Sequence, residues 1–153
     1  KDIVSLEGEC RHITSYLQIQ QVRYQDILTY DVDIPEEIAN CKIPKITLQP
    51  LVENALYHGI KNKRGKGRIV VTGRREKDKC VIRVEDNGIG MTKERLNQVR
   101  GGLTTKIEDS NDFYGLYNVN ERIRLKFGEE YGLSIDSVLQ EGTCVEVWLP
   151  WES

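Results

Sequence analysis

The sequence predicts an α+β fold: a two-layer α/β sandwich whose mixed, mostly antiparallel sheet is covered on one face by helices. Apolar residues alternate with period two in segments near 28–34, 68–75, 80–86, 133–138 and 143–149, as half-buried strands require. Four of these segments form two pairs joined by short polar turns, which makes each pair a hairpin. Helical periodicity is confined to separate stretches and does not alternate strictly with strands, which argues against a doubly wound sheet. At 153 residues the chain can bury one substantial core.

Taken in order, Ser5 followed by Glu7 and Glu9 marks a helix start, a capping hydroxyl with acidic residues at the positive end of the dipole. Gly8 stands where a capping box would place Glu. Leu6, Cys10, Ile13, Leu17, Gln20 and Tyr24 then recur at alternating spacings of four and three. Such a stripe packs a helix onto its own domain, or continues an upstream dimerisation element. Residues 1–27 are therefore set apart as an N-terminal helix, with 28–153 as the main domain. Leu28, Tyr30, Val32 and Ile34 form a strand closed by Pro35, and a loop containing Pro44 follows. After the helix described below, residues 68–75 and 80–86 make a hairpin around a charged turn. Residues 92–100 are helical with Thr92 as cap, and 101–113 are polar and Gly-bearing, expected to be a loop. Residues 115–127 place Leu116, Val119, Ile123 and Phe127 on one helical face, and the last hairpin turns at Gln-Glu-Gly.

Composition narrows the function. Apolar residues make up 39% and charged residues 30%, a globular balance. A formal net charge of −2 lacks the basic footprint of a nucleic-acid binder, so none is expected as partner. The start lacks a Met and a signal peptide, and the chain reads as a fragment whose parent's membrane anchor would lie elsewhere. Cys10, Cys41, Cys80 and Cys144 show neither a CxxC pair nor zinc-ligand spacing. Reduced thiols are expected, with Cys80 and Cys144 as small buried hydrophobes.

The helix from Thr47 onward carries two faces. Thr47 is a suitable cap, and Pro50 falls in the first turn, where its missing N–H costs nothing. Leu48, Val52, Ala55, Leu56 and Gly59 cluster on one side, the buried stripe. Asn54, His58 and Lys61 fall within about 60° of one another on the other side. A solvated face would look the same. An amide, an imidazole and an amine in this alignment also suit a metal–phosphate site, because the amide oxygen is a hard Mg²⁺ ligand and both nitrogens donate to phosphate.

The second strand of the central hairpin ends in VEDNGIGM. Alternation puts Asp86 on the face shared by Cys80, Ile82 and Val84, toward the covered side of the sheet. A carboxylate directed there needs a donor; a purine amino group would serve, and so would a plain Asp-Asn-Gly turn. Gly88 and Gly90 allow a close backbone approach to a flat ligand. Gly115, at the start of a helix, exposes amides to an anion or acts as a simple hinge.

Together, in this order and spacing, LQPLVENALYHGI, VEDNGIGM, YGLYNVNERI and GTCVEVWLP resemble the ATP-binding domain shared by gyrase, Hsp90, histidine kinases and MutL. With YLQIQQVRY upstream, the similarity extends to sensor histidine kinases of the LytS type and covers nearly the whole chain. The resemblance implies a Bergerat-type ATP-binding fold with ATP and Mg²⁺ as cofactors. It implies Asn54 as the metal ligand, with His58 and Lys61 near the phosphates. Asp86 would accept the adenine amino group. Gly88, Gly90 and Met91 would line the adenine pocket, Thr143 would support that end, and Gly115 and Leu116 would present amides to the phosphates. Residues 101–113 would form a lid, with Lys106 as its cation for transfer. The γ-phosphate would pass to a histidine in an upstream phosphoacceptor and dimerisation segment of the same protein, then to a response regulator. The resemblance further implies a homodimeric intact protein anchored in the plasma membrane, with this domain cytoplasmic.

Two departures stand out. Phe113 and Tyr114 occupy the place where the pattern has an earlier glycine, and the phosphoacceptor segment is not in this sequence. His12 has no such context and reads as an exposed helix histidine. A gyrase- or Hsp90-like hydrolase would need a water-orienting Glu where Pro50 stands, and Glu53 lies about 100° round the helix from Asn54. A non-catalytic nucleotide sensor would use the same site residues.

Overall fold

A computed structural model describes residues 2–24, 27–60, 65–105 and 113–151. Its main sheet has five strands in the order β2-β4-β5-β7-β6, built from β2 (Leu28–Asp33), β4 (Gly67–Glu76), β5 (Lys79–Asp86), β6 (Gly132–Val138) and β7 (Gly142–Pro150). The hairpins β4–β5 and β6–β7 and the β5–β7 pair are antiparallel, while β2 runs parallel to β4. That is the mixed, mostly antiparallel sheet the alternation predicts. Four helices accompany it among the described residues: α1 (Leu6–Arg23), α2 (Leu48–Asn54), α3 (Lys93–Thr105) and α4 (Tyr114–Phe127). One core joins Ile69, Val71, Ile82, Val84, Val145 and Val147 of the sheet to Leu17, Leu51, Val99 and Ile123 of the helices.

Each strand turns its second set of residues to the uncovered face. Arg74 reaches across to Glu146 (3.1 Å), and its guanidinium lies 5.6 Å from the Trp148 ring. Cys144 belongs to this set and is half-buried, contrary to its expected place among the core residues; in register it opposes Glu85, whose side of β5 points away from the core. Cys10, Cys41 and Cys80 are buried, and all four cysteines are free. Burial, aided by Glu9 and Glu7, pushes the Cys10 thiol up to about 12, which keeps it in the unreactive protonated form.

Several local features differ from the sequence expectation. A short strand β1 (Ile3–Ser5) pairs antiparallel with β3 (Lys42–Pro44), and a 3₁₀ turn spans Glu36–Ile38. Residues 101–105 belong to α3 and not to a loop. Glycines are poor helix formers, but here tertiary contacts override propensity. Gly102 packs so closely on Tyr117 that a Cβ would lie 2.4 Å from its ring, and the Leu103 carbonyl accepts from Asn120 Nδ2 (2.8 Å). The remainder of the expected lid, 106–112 with Lys106, lies outside the described residues, as does Lys61.

The Ser5 cap on α1 and the Thr92 cap on α3 form as expected, through Gly8 N (3.1 Å) and Arg95 N (3.1 Å). The Thr47 cap does not. Thr47 Oγ1 donates to the Pro44 carbonyl (2.6 Å), and the N-terminus of α2 is capped from α1 instead. Glu9, 4% exposed, accepts Thr47 N (2.8 Å) and Leu48 N (3.3 Å) on Oε1 and Ile46 N (3.2 Å) on Oε2. A carboxylate at that point satisfies amides that have no intrahelical partner and lies at the positive end of the dipole.

Candidate functional site

The apolar stripe of α2 is buried as its spacing predicts, and the helix then widens into a π turn over Ala55–Ile60. Such turns appear often at functional sites. They also shift residues relative to an ideal helix, so angles taken from a regular 100° step cease to hold beyond Asn54. Asn54 and His58 still face the same side and line one cavity with Gly59, Asp86, Gly90, Met91, Arg95, Phe113 and Thr143. Ile89, Thr92 and Leu139 complete its wall. A second cavity continues beside it, sharing Asn54, His58 and Phe113 and adding Pro50, Glu53, Tyr57, Gly115 and Leu116.

Asp86 is 6% exposed, and its Oδ1 accepts the Gly88 amide (2.8 Å). The alternation along β5 thus directs this carboxylate inward as predicted, into a cavity and not into solid core. Thr143 stands opposite it in the β5–β7 register, on the same side of the sheet, and its hydroxyl lies 2.8 Å from Ser137 Oγ. The glycines make room for this arrangement. A Cβ at Gly59 would lie 2.5 Å from Asp86 Oδ1, and one at Gly88 would lie 2.3 Å from the Gly59 backbone carbon. Gly88 therefore seats the loop on the π turn, beneath the cavity wall that Gly90 and Met91 form. Gly90 adopts φ +67°, the left-handed region that glycine enters without strain.

Asn54 is 8% exposed, and its Oδ1 accepts no hydrogen bond from any described residue. A buried amide oxygen left without a donor costs about 1–3 kcal/mol, and its chemistry suits a hard cation. The unmet Asn54 oxygen therefore fits a hard cation such as Mg²⁺, which it would ligate if bound. Among the described residues no group of three His, Cys, Asp or Glu could hold a metal ion.

Gly115 sits in the first turn of α4, with Phe113 at the N-cap position making no side-chain cap bond. His58 stacks on Phe113 at 4.9 Å between centroids and 27° between planes, and the Arg95 guanidinium lies 5.0 Å from the same ring. Phe113, Arg95 and the apolar residues Ile89 and Leu139 were not legible as site residues in the sequence; they reach the cavity from loops and from the outer turn of α3. Glu53 lines the second cavity together with Asn54, and its Oε2 accepts from Gln49 Nε2 (3.2 Å). His12 is exposed as expected and pairs with Gln49 Oε1 (2.5 Å).

Residues 44–153 match the family described as histidine kinase-, DNA gyrase B-, and HSP90-like ATPase, and the chain belongs to that family. Within it, the chain is similar over nearly its whole length to sensor histidine kinases. It is 37% identical over 151 residues to the sensor histidine kinase YesM of Bacillus subtilis, covering 98% of this chain and 24% of that protein. It is 35% identical over 150 residues to the sensor protein LytS of Staphylococcus saprophyticus, covering 98% and 25%. The chain thus spans about a quarter of the length of these relatives. The catalytic domain of the histidine kinase ThkA shares the fold, with a TM-score of 0.70 at 11% identity, covering 97% of this chain and 95% of that one. The fold is the Bergerat-type sandwich that the motifs implied. No helix among the described residues is long and apolar enough to cross a membrane.

Proposed function

We propose that this chain is the ATP-binding catalytic domain of a sensor histidine kinase. In this reading it donates the γ-phosphate to a histidine outside the sequence in hand, for onward transfer to an aspartate of a response regulator. The observation that carries the nucleotide reading is the buried Asp86 carboxylate lining a cavity that also holds the unpartnered Asn54 oxygen. Asp86, with Thr143 beside it, accepts the adenine amino group, and the flat ring lies against Gly90 and Met91. The phosphate tail then runs past His58 into the second cavity, where the first-turn amides of α4 at Gly115 and Leu116 receive it. Mg²⁺, when bound, neutralises charge on the phosphate oxygens. Residues 1–27 link this domain to the dimerisation and phosphoacceptor segment of a homodimeric, membrane-anchored parent; Ile19 and Val22 are exposed on α1.

Asp86→Asn tests the adenine end. Loss of the charge-assisted hydrogen bond should weaken ATP binding by about 1.5–3 kcal/mol in calorimetry, and unchanged affinity would remove adenine from this position. The transfer step is tested with γ-labelled ATP and the chain joined to its histidine segment. Acid-labile, base-stable label on the protein is the expected result, with none on this chain alone. The position of Glu53 beside Asn54 supports a second reading, an ATP hydrolase in which Glu53 orients water. Steady phosphate release from this chain, abolished by Glu53→Gln, would establish that reading instead. ATP binding with neither label nor release would favour a nucleotide sensor.

A further inference from the structure

The second cavity carries one feature that binding of an anion does not explain. Of the described residues that line it, Glu53 alone is a carboxylate. A negative charge there repels a polyphosphate, so a site built only to hold the nucleotide gains nothing from it. Glu53 is half-buried and tethered. Its Oε2 accepts Gln49 Nε2 (3.2 Å) from one turn earlier on α2, and Gln49 Oε1 accepts the exposed His12 Nε2 of α1 (2.5 Å). The His12 bond fixes which end of the Gln49 amide faces Glu53. The Gln49 bond occupies Oε2, so Oε1 remains to accept a donor in the cavity.

The transfer reaction proposed above supplies such a donor. A neutral imidazole attacks through the lone pair of one ring nitrogen. The N–P bond forms as the bond between the γ-phosphorus and the β–γ bridging oxygen breaks, and ADP leaves. Positive charge then develops on the ring, and the N–H of its other nitrogen becomes acidic. A carboxylate in reach of that N–H orients the attacking nitrogen, takes the proton and passes it to water. Pro50, Tyr57 and Phe113, which line the same cavity, offer the flat ring an apolar and aromatic surface.

We propose that Glu53 is a catalytic residue for the acceptor side of the reaction: it receives the N–H of the incoming histidine in the second cavity, and Gln49 and His12 form the tether that aims it. This inference rests on the kinase reading above. It gives the ATP-binding domain a part in activating the nucleophile as well as in holding the nucleotide.

The test combines calorimetry of this chain with Mg²⁺ and ATP and single-turnover labelling of the chain joined to its histidine segment, at saturating γ-labelled ATP. Glu53→Gln should bind ATP with Mg²⁺ at least as tightly as the wild type, while histidine labelling slows roughly a hundredfold. Glu53→Asp should recover part of that rate. Gln49→Leu, which removes the tether, should slow labelling roughly tenfold. Undiminished labelling in Glu53→Gln overturns the inference and leaves the kinase reading standing. So does an equal loss of ATP affinity and labelling in both Glu53→Gln and Glu53→Asp, which would make Glu53 a metal ligand or a part of the fold. A wild-type protein that takes up no label overturns the kinase reading and this inference with it.

Discussion

The two ends of α2 handle buried polar groups in opposite ways. At its N-terminus a carboxylate from another helix, Glu9 of α1, takes three consecutive amides, and the Thr47 hydroxyl is spent on the Pro44 carbonyl. At its C-terminus Asn54 Oδ1 is buried without a donor among the described residues, and the helix loosens into a π turn. Both ends are packed against the same core, so the difference is not one of exposure. One end is satisfied and fixes the helix in place. The other keeps an unmet acceptor facing a cavity, a local cost that a bound cation would offset.

The satisfied end also holds strain. Ile46 adopts φ +59°, a region that a β-branched residue enters only when its surroundings compel it. Its N–H goes to Glu9 and its carbonyl accepts Arg122 Nη2 of α4 (2.7 Å), while Arg122 Nη1 donates to the Lys45 carbonyl (3.0 Å). Helices α1, α2 and α4 therefore meet at residues 45–48. The largest effect expected from breaking the contrast comes here. Glu9→Ala should leave buried amides unpaired and release Ile46, lowering unfolding free energy by roughly 3 kcal/mol. Glu9→Gln keeps an acceptor and should lose about 1 kcal/mol. Urea denaturation of the two variants measures both. Equal, small losses would mean that the amides find other partners and that this end is not the anchor.

How much of this contrast was legible in the sequence follows from the range of each interaction. The five strands of the main sheet, the α1 stripe and the inward direction of Asp86 depend on periodicity within a few residues, and they emerged as read. Asn54 and His58 share a cavity because they are one turn apart on one helix. The Glu9 cap joins positions 38 apart in sequence to Thr47, and no local pattern distinguishes it from an acidic residue near a helix start. The β1–β3 pair spans three residues on each side, too short for alternation to register. The helical continuation through 101–105 depends on Tyr117 and Asn120, which belong to a different helix. Arg95 and Phe113 share that difficulty. Their places in the cavity wall follow from a meeting of α3, the start of α4 and the π turn.

The smallest stability effect is expected at the other end of α2, and its sign sharpens the contrast most. Replacing Asn54 by Leu removes an acceptor that no described group satisfies and substitutes an apolar side chain of similar length beside the core. A buried polar atom without a partner contributes nothing favourable to folding, and removing it recovers the desolvation cost. Asn54→Leu should therefore unfold within about 1 kcal/mol of the wild type, or slightly later in denaturant. The same variant should lose whatever increase in ATP affinity Mg²⁺ confers on the wild type. Stability and binding would then separate at one residue, whereas at Glu9 a change in stability should come first and any change in binding should follow from it. A large destabilisation in Asn54→Leu with Mg²⁺-dependent binding intact would show that the amide serves the fold, and would move the metal to another ligand.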